Sequence, residues 1–318
     1  GRGEQVAGAS NELFVAALLF SMLVTSAYAQ QALTAATVSG HVQDAAHNPL
    51  SGVRVTMTSN ERNQRVSATT DGDGRFRFPP LAPGDYTLEA QSEGLAKFQR
   101  VVTLTIAQSL DIPITLRLPT ETESIVVSAA VPVIETTRTQ VATTIAPEEV
   151  KSLPLNGRNY LDLALLAPGV SRTNTGANQR FAETSAVPGT GISVSTQRNL
   201  SNSFLIDGLS ANDDAAELAG SFYSQEVIRE FQVVRSAGIA EFGRASGGII
   251  NIVTQTGTNR LRGDLYGFFR NQRFDGRNAL SGTRLPLDQQ QYGASVSGPL
   301  HRDRTFFFAN FEQLRQEG

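Results

Sequence analysis

Groups capable of bond-making chemistry are sparse in this sequence and stand far apart. His41, His47 and His301 are its only histidines, they fall in separate turn-like or edge-strand contexts, and none has a metal-ligating partner four residues on. There is no Cys, which removes disulfides, thiolate metal sites and Cys nucleophiles. No GxSxG, HExxH or paired-carboxylate constellation appears, so the chain reads as a non-enzyme without metal or cofactor. Asp207, Asp213 and Asp214 lie close in sequence, but a solvated loop accounts for them. Asp71 and Asp73 have the residue type of calcium ligands, yet they belong to an Asp-Gly-Asp-Gly run whose spacing is that of a tight hairpin turn. Gly247-Gly248 offers a phosphate-cradling loop only in outline, because no GxxxxGK[ST] is present and no helix follows. One segment has binding chemistry instead: Glu123-Ser124-Ile125-Val126-Val127-Ser128 is a β-prone hexapeptide behind the polar linker PTETES.

The chain has 318 residues, 18% charged and 40% hydrophobic, with a formal net charge of -3. That size suggests two domains or slightly more, and the weak charge removes nucleic acid as a partner. Leu13 to Val24 is a twelve-residue apolar run, too short for a helix across a hydrocarbon core of about 30 Å. Ala27-Tyr28-Ala29 follows with the small-x-small pattern of a cleavage site, so residues 1–29 are expected to be a signal peptide. No later segment reaches the length of a spanning helix, and any further membrane crossing must use β-strands.

From Thr37 to Leu118, short alternating runs are separated by turn residues. Strands are expected at Val38–Val42, Val53–Thr58, Val66–Thr70, Arg75–Phe78, Tyr86–Ala90, Phe98–Thr103 and Ile112–Leu118. Seven such strands indicate a β-sandwich. The runs VSGHVQDAAHNPLSGVRVTMTS and TTDGDGRFRFPPLAPGDYTLEAQSEGL resemble a carboxypeptidase regulatory-like domain, a transthyretin-like sandwich also described as a carbohydrate-binding-like fold. The resemblance implies an accessory module, placed at 37–118.

Beyond the linker, Pro147-Glu148-Glu149 opens a short helix, with Pro in the first turn and acids at the positive end of the dipole. Asn156 to Asn159 leads a second helix, with Tyr160, Leu161, Ala164 and Leu165 as an apolar stripe that ends at Pro168-Gly169. Strands are expected at Ile192–Thr196, Ser203–Ile206, Phe231–Arg235 and Ile250–Thr254. The runs SFLIDGLS, SQEVIREFQVVRS and AEFGRASGGIINIVTQTGTN resemble, in order and spacing, the later half of the plug of TonB-dependent outer-membrane receptors. The residues carrying that likeness are Asp207, Gly208, Arg235, Phe242, Gly243, Gly247, Gly248 and Asn251. The paired glycines are expected to let backbone pack against an enclosing barrel wall or adopt φ > 0. The hexapeptide Glu123–Ser128 resembles the TonB box that precedes such plugs; it also reads as the first strand of the plug.

After Gly257 the pattern alternates strictly. Arg262, Asp264, Tyr266, Phe268 and Arg270 share one face, while Leu261, Gly263, Leu265, Gly267 and Phe269 share the other. Tyr292, Ala294, Val296 and Gly298 repeat the period, and His301–Arg304 makes a turn before Thr305–Phe311. The run GPLHRDRTFFFANFE resembles the first barrel hairpin of the Oar-like subgroup of the same family.

The expected fold is therefore mainly β. It comprises a signal peptide (1–29), a transthyretin-like sandwich (37–118), a linker with the TonB-box-like segment (119–128), an α+β plug (129–257) and the start of a transmembrane antiparallel barrel (258–318). A plugged barrel needs about 22 strands of about 10 residues, so the resemblance implies an N-terminal piece of a longer receptor. Its implied partners are TonB, outer-membrane lipid and a solute of unidentified kind. Arg158, Asn159, Asp207, Arg235, Glu241 and Arg244 are expected to face the polar lumen. The rival readings are a surface or periplasmic glycan- or peptide-binding adhesion module, and a signalling receptor.

Overall fold

The computed structural model describes residues 34–119, 140–172 without 154 and 156–157, 191–197, 201–212, 223–236 and 242–317 without 244, 275, 278–281, 283 and 285–287. The expected signal peptide (1–29), with Ala27 and Ala29, and the hexapeptide Glu123–Ser128 lie outside the described residues.

Seven strands build the N-terminal unit: β1 (Thr37–Gln43), β2 (Arg54–Ser59), β3 (Arg65–Thr69), β4 (Arg75–Arg77), β5 (Gly84–Gln91), β6 (Phe98–Leu104) and β7 (Ser109–Thr115). They form two sheets, ordered β4-β1-β7 and β3-β2-β5-β6. Period-2 alternation sends Val38, Val42, Val55, Met57, Leu88, Ala90, Ile112 and Ile114 between the sheets, all with no exposed surface. The Asp71 carboxylate accepts the amides of Asp73 at 3.0 Å and Arg75 at 2.8 Å, so the tight turn uses that oxygen itself. The last strand sits three residues earlier than Ile112–Leu118. β7 runs parallel to β1, pairing Leu110 with Val38 and Ile114 with Val42, and the last ladder bond runs from the Leu116 amide to the Gln43 carbonyl at 2.8 Å. Pro113 is tolerated there because β7 is an edge strand.

The central unit is a five-stranded sheet ordered β12-β11-β14-β13-β8, from β8 (Val141–Ile145), β11 (Ser203–Ile206), β12 (Leu209–Ser210), β13 (Ile228–Ser236) and β14 (Ile249–Thr254). β9 (Val170–Arg172) and β10 (Ile192–Val194) form a separate ribbon. Strand β10 is shorter than expected because Ser195 and Thr196 take left-handed φ of 52° and 65°. Helix α1 (Pro147–Ser152) starts with Pro as anticipated, and Glu149 reaches back to the Ala146 amide at 3.0 Å. The second helix is a correction: Tyr160–Leu166 is 3₁₀. With three residues per turn the buried rows become Tyr160/Leu163 and Leu161/Ala164/Ala167, which leaves Leu165 exposed.

The remaining strands, β15 (Arg262–Asn271), β16 (Asp288–His301) and β17 (Thr305–Glu317), form an antiparallel meander. Register places Leu265 opposite Ala294, and Ala294 opposite Phe311, on one face. That face is exposed: Leu265 at 89%, Phe269 at 77% and Phe311 at 64%.

Candidate functional site

Each motif residue of the central unit has a local structural task. Asp207 takes a left-handed φ of 50° ahead of Gly208 at 83°. Its carboxylate accepts the Thr254 amide at 2.9 Å and the Thr254 hydroxyl at 2.7 Å, tying the β11–β12 turn to the end of β14. Phe242 packs with Leu205, Val234, Ala245 and Ile249 on one side of the sheet, and Gly243 follows at φ 65°. Asn251 is fully buried on β14, between Gln232 of β13 and Leu205 of β11. Arg235 donates to the Pro168 carbonyl at 3.0 Å.

The paired glycines correct an expectation. A Cβ on Gly248 would stand 2.6 Å from both Val194 methyls, and one on Gly247 2.6 Å from the Asn202 side-chain oxygen. The close approach is thus to the β10 ribbon and the Ser201–Asn202 segment, inside the unit, and not to the meander. The same Asn202 oxygen accepts the Gly248 amide at 2.9 Å, so backbone and side chain meet where only glycine fits.

The polar residues expected to face a lumen divide. Asn159 caps the 3₁₀ helix through the Leu161 amide, while Asp207 and Arg235 bond within the unit as above; Glu241 and Arg244 lie outside the described residues. Arg158 does face the meander. Held at φ 50°, it pairs with Glu226 at 2.6 Å and lays its guanidinium over Phe268 and Tyr266. Beside it Ser224 meets Tyr266 at 3.1 Å and donates to Glu312 at 2.7 Å. Gln291 and Tyr266 donate to the same Glu312 carboxylate at 2.8 and 2.9 Å. Charge and hydrogen bonding are therefore concentrated on the inner face of β15–β17, opposite the exposed apolar face. Ser224, Gln291 and Glu312 were missed by sequence reasoning; the one available signal was that Tyr266 shares a face with Arg262, Asp264 and Arg270.

A second contact joins the sandwich to the central unit. Glu230 and Gln232 of β13, both buried, take the Ile106 amide at 2.7 Å and the Ile106 carbonyl at 3.1 Å. Arg229 pairs with Glu61 at 2.9 Å. Burial pushes the Glu230 carboxyl up to about 7, against the lowering pull of the Ile106 amide and Arg229. Among the described residues no cluster of His, Asp or Glu has the arrangement of a metal site.

Two classes of domain frame this arrangement. Residues 37–117 match the carboxypeptidase regulatory-like domain, and residues 253–318 match an outer membrane beta barrel domain. The chain as a whole is similar to the TonB-dependent transporter Oar of Myxococcus xanthus, 27% identical over 305 residues that cover 90% of this chain and 27% of that protein. It spans about a quarter of the length of that curated relative. Among solved structures, the siderophore receptor PirA from Acinetobacter baumannii is 23% identical with a TM-score of 0.43, covering 57% of this chain and 25% of that one. The outer membrane transporter YddB from Escherichia coli is 18% identical at a TM-score of 0.43, covering 55% and 26%. The sequence resemblance to the TonB-dependent transporter Oar thus extends from the sandwich into the meander.

Proposed function

We propose that this chain belongs to a TonB-dependent outer-membrane receptor that takes up a solute, divided as 1–29 leader, 37–118 sandwich, 119–128 linker and TonB-box segment, 129–257 plug and 258–318 barrel strands. The observation that carries the reading is the two-faced meander. Arg158 and Ser224 of the central unit meet Tyr266, Phe268 and Glu312 on one face, while Leu265, Phe269 and Phe311 stand exposed on the other. A plug inside a barrel whose outer wall faces outer-membrane lipid requires that division.

In this reading TonB captures Glu123–Ser128 by adding it as a strand to its own sheet, with affinity from main-chain hydrogen bonds. Tension then opens or displaces part of the plug. The plug–wall contact suits repeated opening, since a polar seam exchanges its hydrogen bonds with water at little net cost, whereas an apolar seam would expose surface. No step makes or breaks a covalent bond.

The test is binding of the full chain, folded in detergent, to the periplasmic domain of TonB, with Ile125→Pro and Val127→Pro as comparisons. Proline removes a ladder donor, so binding by the wild type that both variants lose is the expected result. A folded wild-type chain that does not bind sinks the box assignment and brings the adhesion reading forward.

A further inference from the structure

The turn between β6 and β7 does something that turn tips rarely do. Ile106 stands at its apex, beside Ala107 at φ 52°, yet its side chain has no exposed surface and lies outside the sandwich core. Both of its backbone groups are read by side chains two residues apart on one face of β13: Glu230 accepts its N–H and Gln232 donates to its C=O. Gln232 also donates to the Thr144 hydroxyl on β8 at 3.1 Å. One amide thus holds the sandwich turn and the sheet's edge strand together. At the rim, Arg229 pairs with Glu61, and the Asn259 amide donates to the Glu61 carbonyl at 3.0 Å.

We propose that the Ile106 turn is a releasable peg that docks the sandwich onto β13, and that Gln232 links the peg to β8, so that loosening either contact weakens the other. This does not rest on the transport reading, because every group involved lies within the chain. A peg differs from a continuous core in what it exposes on release: one apolar side chain with its two backbone groups, the Arg229–Glu61 pair, and polar contacts of Glu61 and Arg62 with Asn259, Thr256 and Phe306. The two units can then separate while both cores stay closed.

Ionisation supplies a bias. Facing the Glu230 carboxyl are the Ile106 amide, Arg229 on its own strand and Glu148 of α1, with burial as the largest influence. Burial in the docked state raises the carboxyl to about 7 from an ordinary 4.5, and undocking relieves that burial, so docking is favoured at acid pH and weakens as pH rises towards about 7. The docking equilibrium is expected to fall between about pH 5.5 and pH 8.

Hydrogen exchange on the full chain in detergent tests this, with intrinsic exchange rates corrected for pH. The Asn259 amide reports docking from outside the peg, and the core amides of β2 and β5 report sandwich integrity. Ile106→Ala and Glu230→Ala are expected to speed Asn259 exchange about tenfold while β2 and β5 stay protected, and Glu230→Gln is expected to flatten its pH dependence. Thr144→Val is expected to speed exchange of the Ile106 amide. Unchanged Asn259 protection in both alanine variants overturns the peg. An unchanged pH slope in Glu230→Gln overturns the ionisation bias, and an unaltered Ile106 amide in Thr144→Val overturns the link to β8. Loss of β2 and β5 protection together with Asn259 would mean that the sandwich unfolds rather than undocks, which also overturns the peg.

Discussion

The Arg158 guanidinium lies 4.2 Å from the centre of the Phe268 ring while the same side chain pairs with Glu226 at 2.6 Å, so an arginine anchored by charge within the central unit reaches the inner face of β15 by ring contact. Both members of the ion pair are largely buried, at 13% and 22% side-chain exposure. Arg158→Ala therefore removes a cation–ring contact and strands a carboxylate, a loss of about 2 kcal/mol. The Val227 amide, which closes the turn containing Glu226, is expected to exchange correspondingly faster. Adding Glu226→Gln to Arg158→Ala should restore part of that protection. Purely additive losses would show that the pair is not coupled.

Gly248 and Val194 form a second testable pair. With both valine methyls 2.6 Å from the position of a Gly248 Cβ, Gly248→Ala must displace β10, at a cost of about 1–3 kcal/mol. Val194→Ala alone opens a small void; in combination it removes both methyls but leaves its Cβ 2.7 Å from the new methyl, so it relieves the clash only in part. The double variant should be more stable in chemical denaturation than Gly248→Ala alone. A double variant as unstable as the sum of the singles would place the constraint elsewhere.

Asp207 combines a conformational and a hydrogen-bonding role. Asn tolerates the left-handed region and keeps one acceptor, whereas Ala loses both acceptors and bears the full φ cost. Asp207→Asn should cost about 1 kcal/mol and Asp207→Ala about 2–3 kcal/mol, read as local opening at the Thr254 amide. Equal effects would mean that Thr254 does not depend on the carboxylate.

The strands of the sandwich were legible because each is delimited by turn chemistry, such as Asp71-Gly72-Asp73-Gly74, and because alternation over Arg75–Phe78 assigns faces without tertiary knowledge. The meander was legible for the same reason: Tyr266 and Phe268 fall on the face that proves to be inward. Leu165 was misassigned because a stripe of Tyr160, Leu161, Ala164 and Leu165 fits the period of an α-helix, and nothing local distinguishes it from a 3₁₀ period. Strand β8 was not anticipated, since Val141–Ile145 alternates weakly and is held by its pairing with distant β13. The seat for Ile106 was illegible on principle. Glu230 falls outside the strand expected at Phe231–Arg235, and nothing local in the sequence pairs it with a turn 124 residues away.

Glu230 sets the pH response of the assembled chain. It is 2% exposed, and burial raises its carboxyl to about 7 from an ordinary 4.5. For an acid whose folded value is raised, the native state binds the proton more tightly than the unfolded one. The stabilising contribution is therefore complete below about pH 4.5 and is lost as pH rises through about 7, by no more than about 3 kcal/mol. Asp44, held low by its hydrogen bonds to Asn48, acts in the opposite direction at lower pH, so the window for Glu230 runs from about pH 5 to 8. Over that window thermal unfolding of the unit containing β13 should shift downward with rising pH in the wild type. Glu230→Gln, which retains an oxygen for the Ile106 amide but has nothing to ionise, should show a flat profile that meets the wild type at the acid end. A wild-type profile that is flat, or that rises with pH, would mean that Glu230 is solvated and charged throughout and that Ile106 does not seat on it.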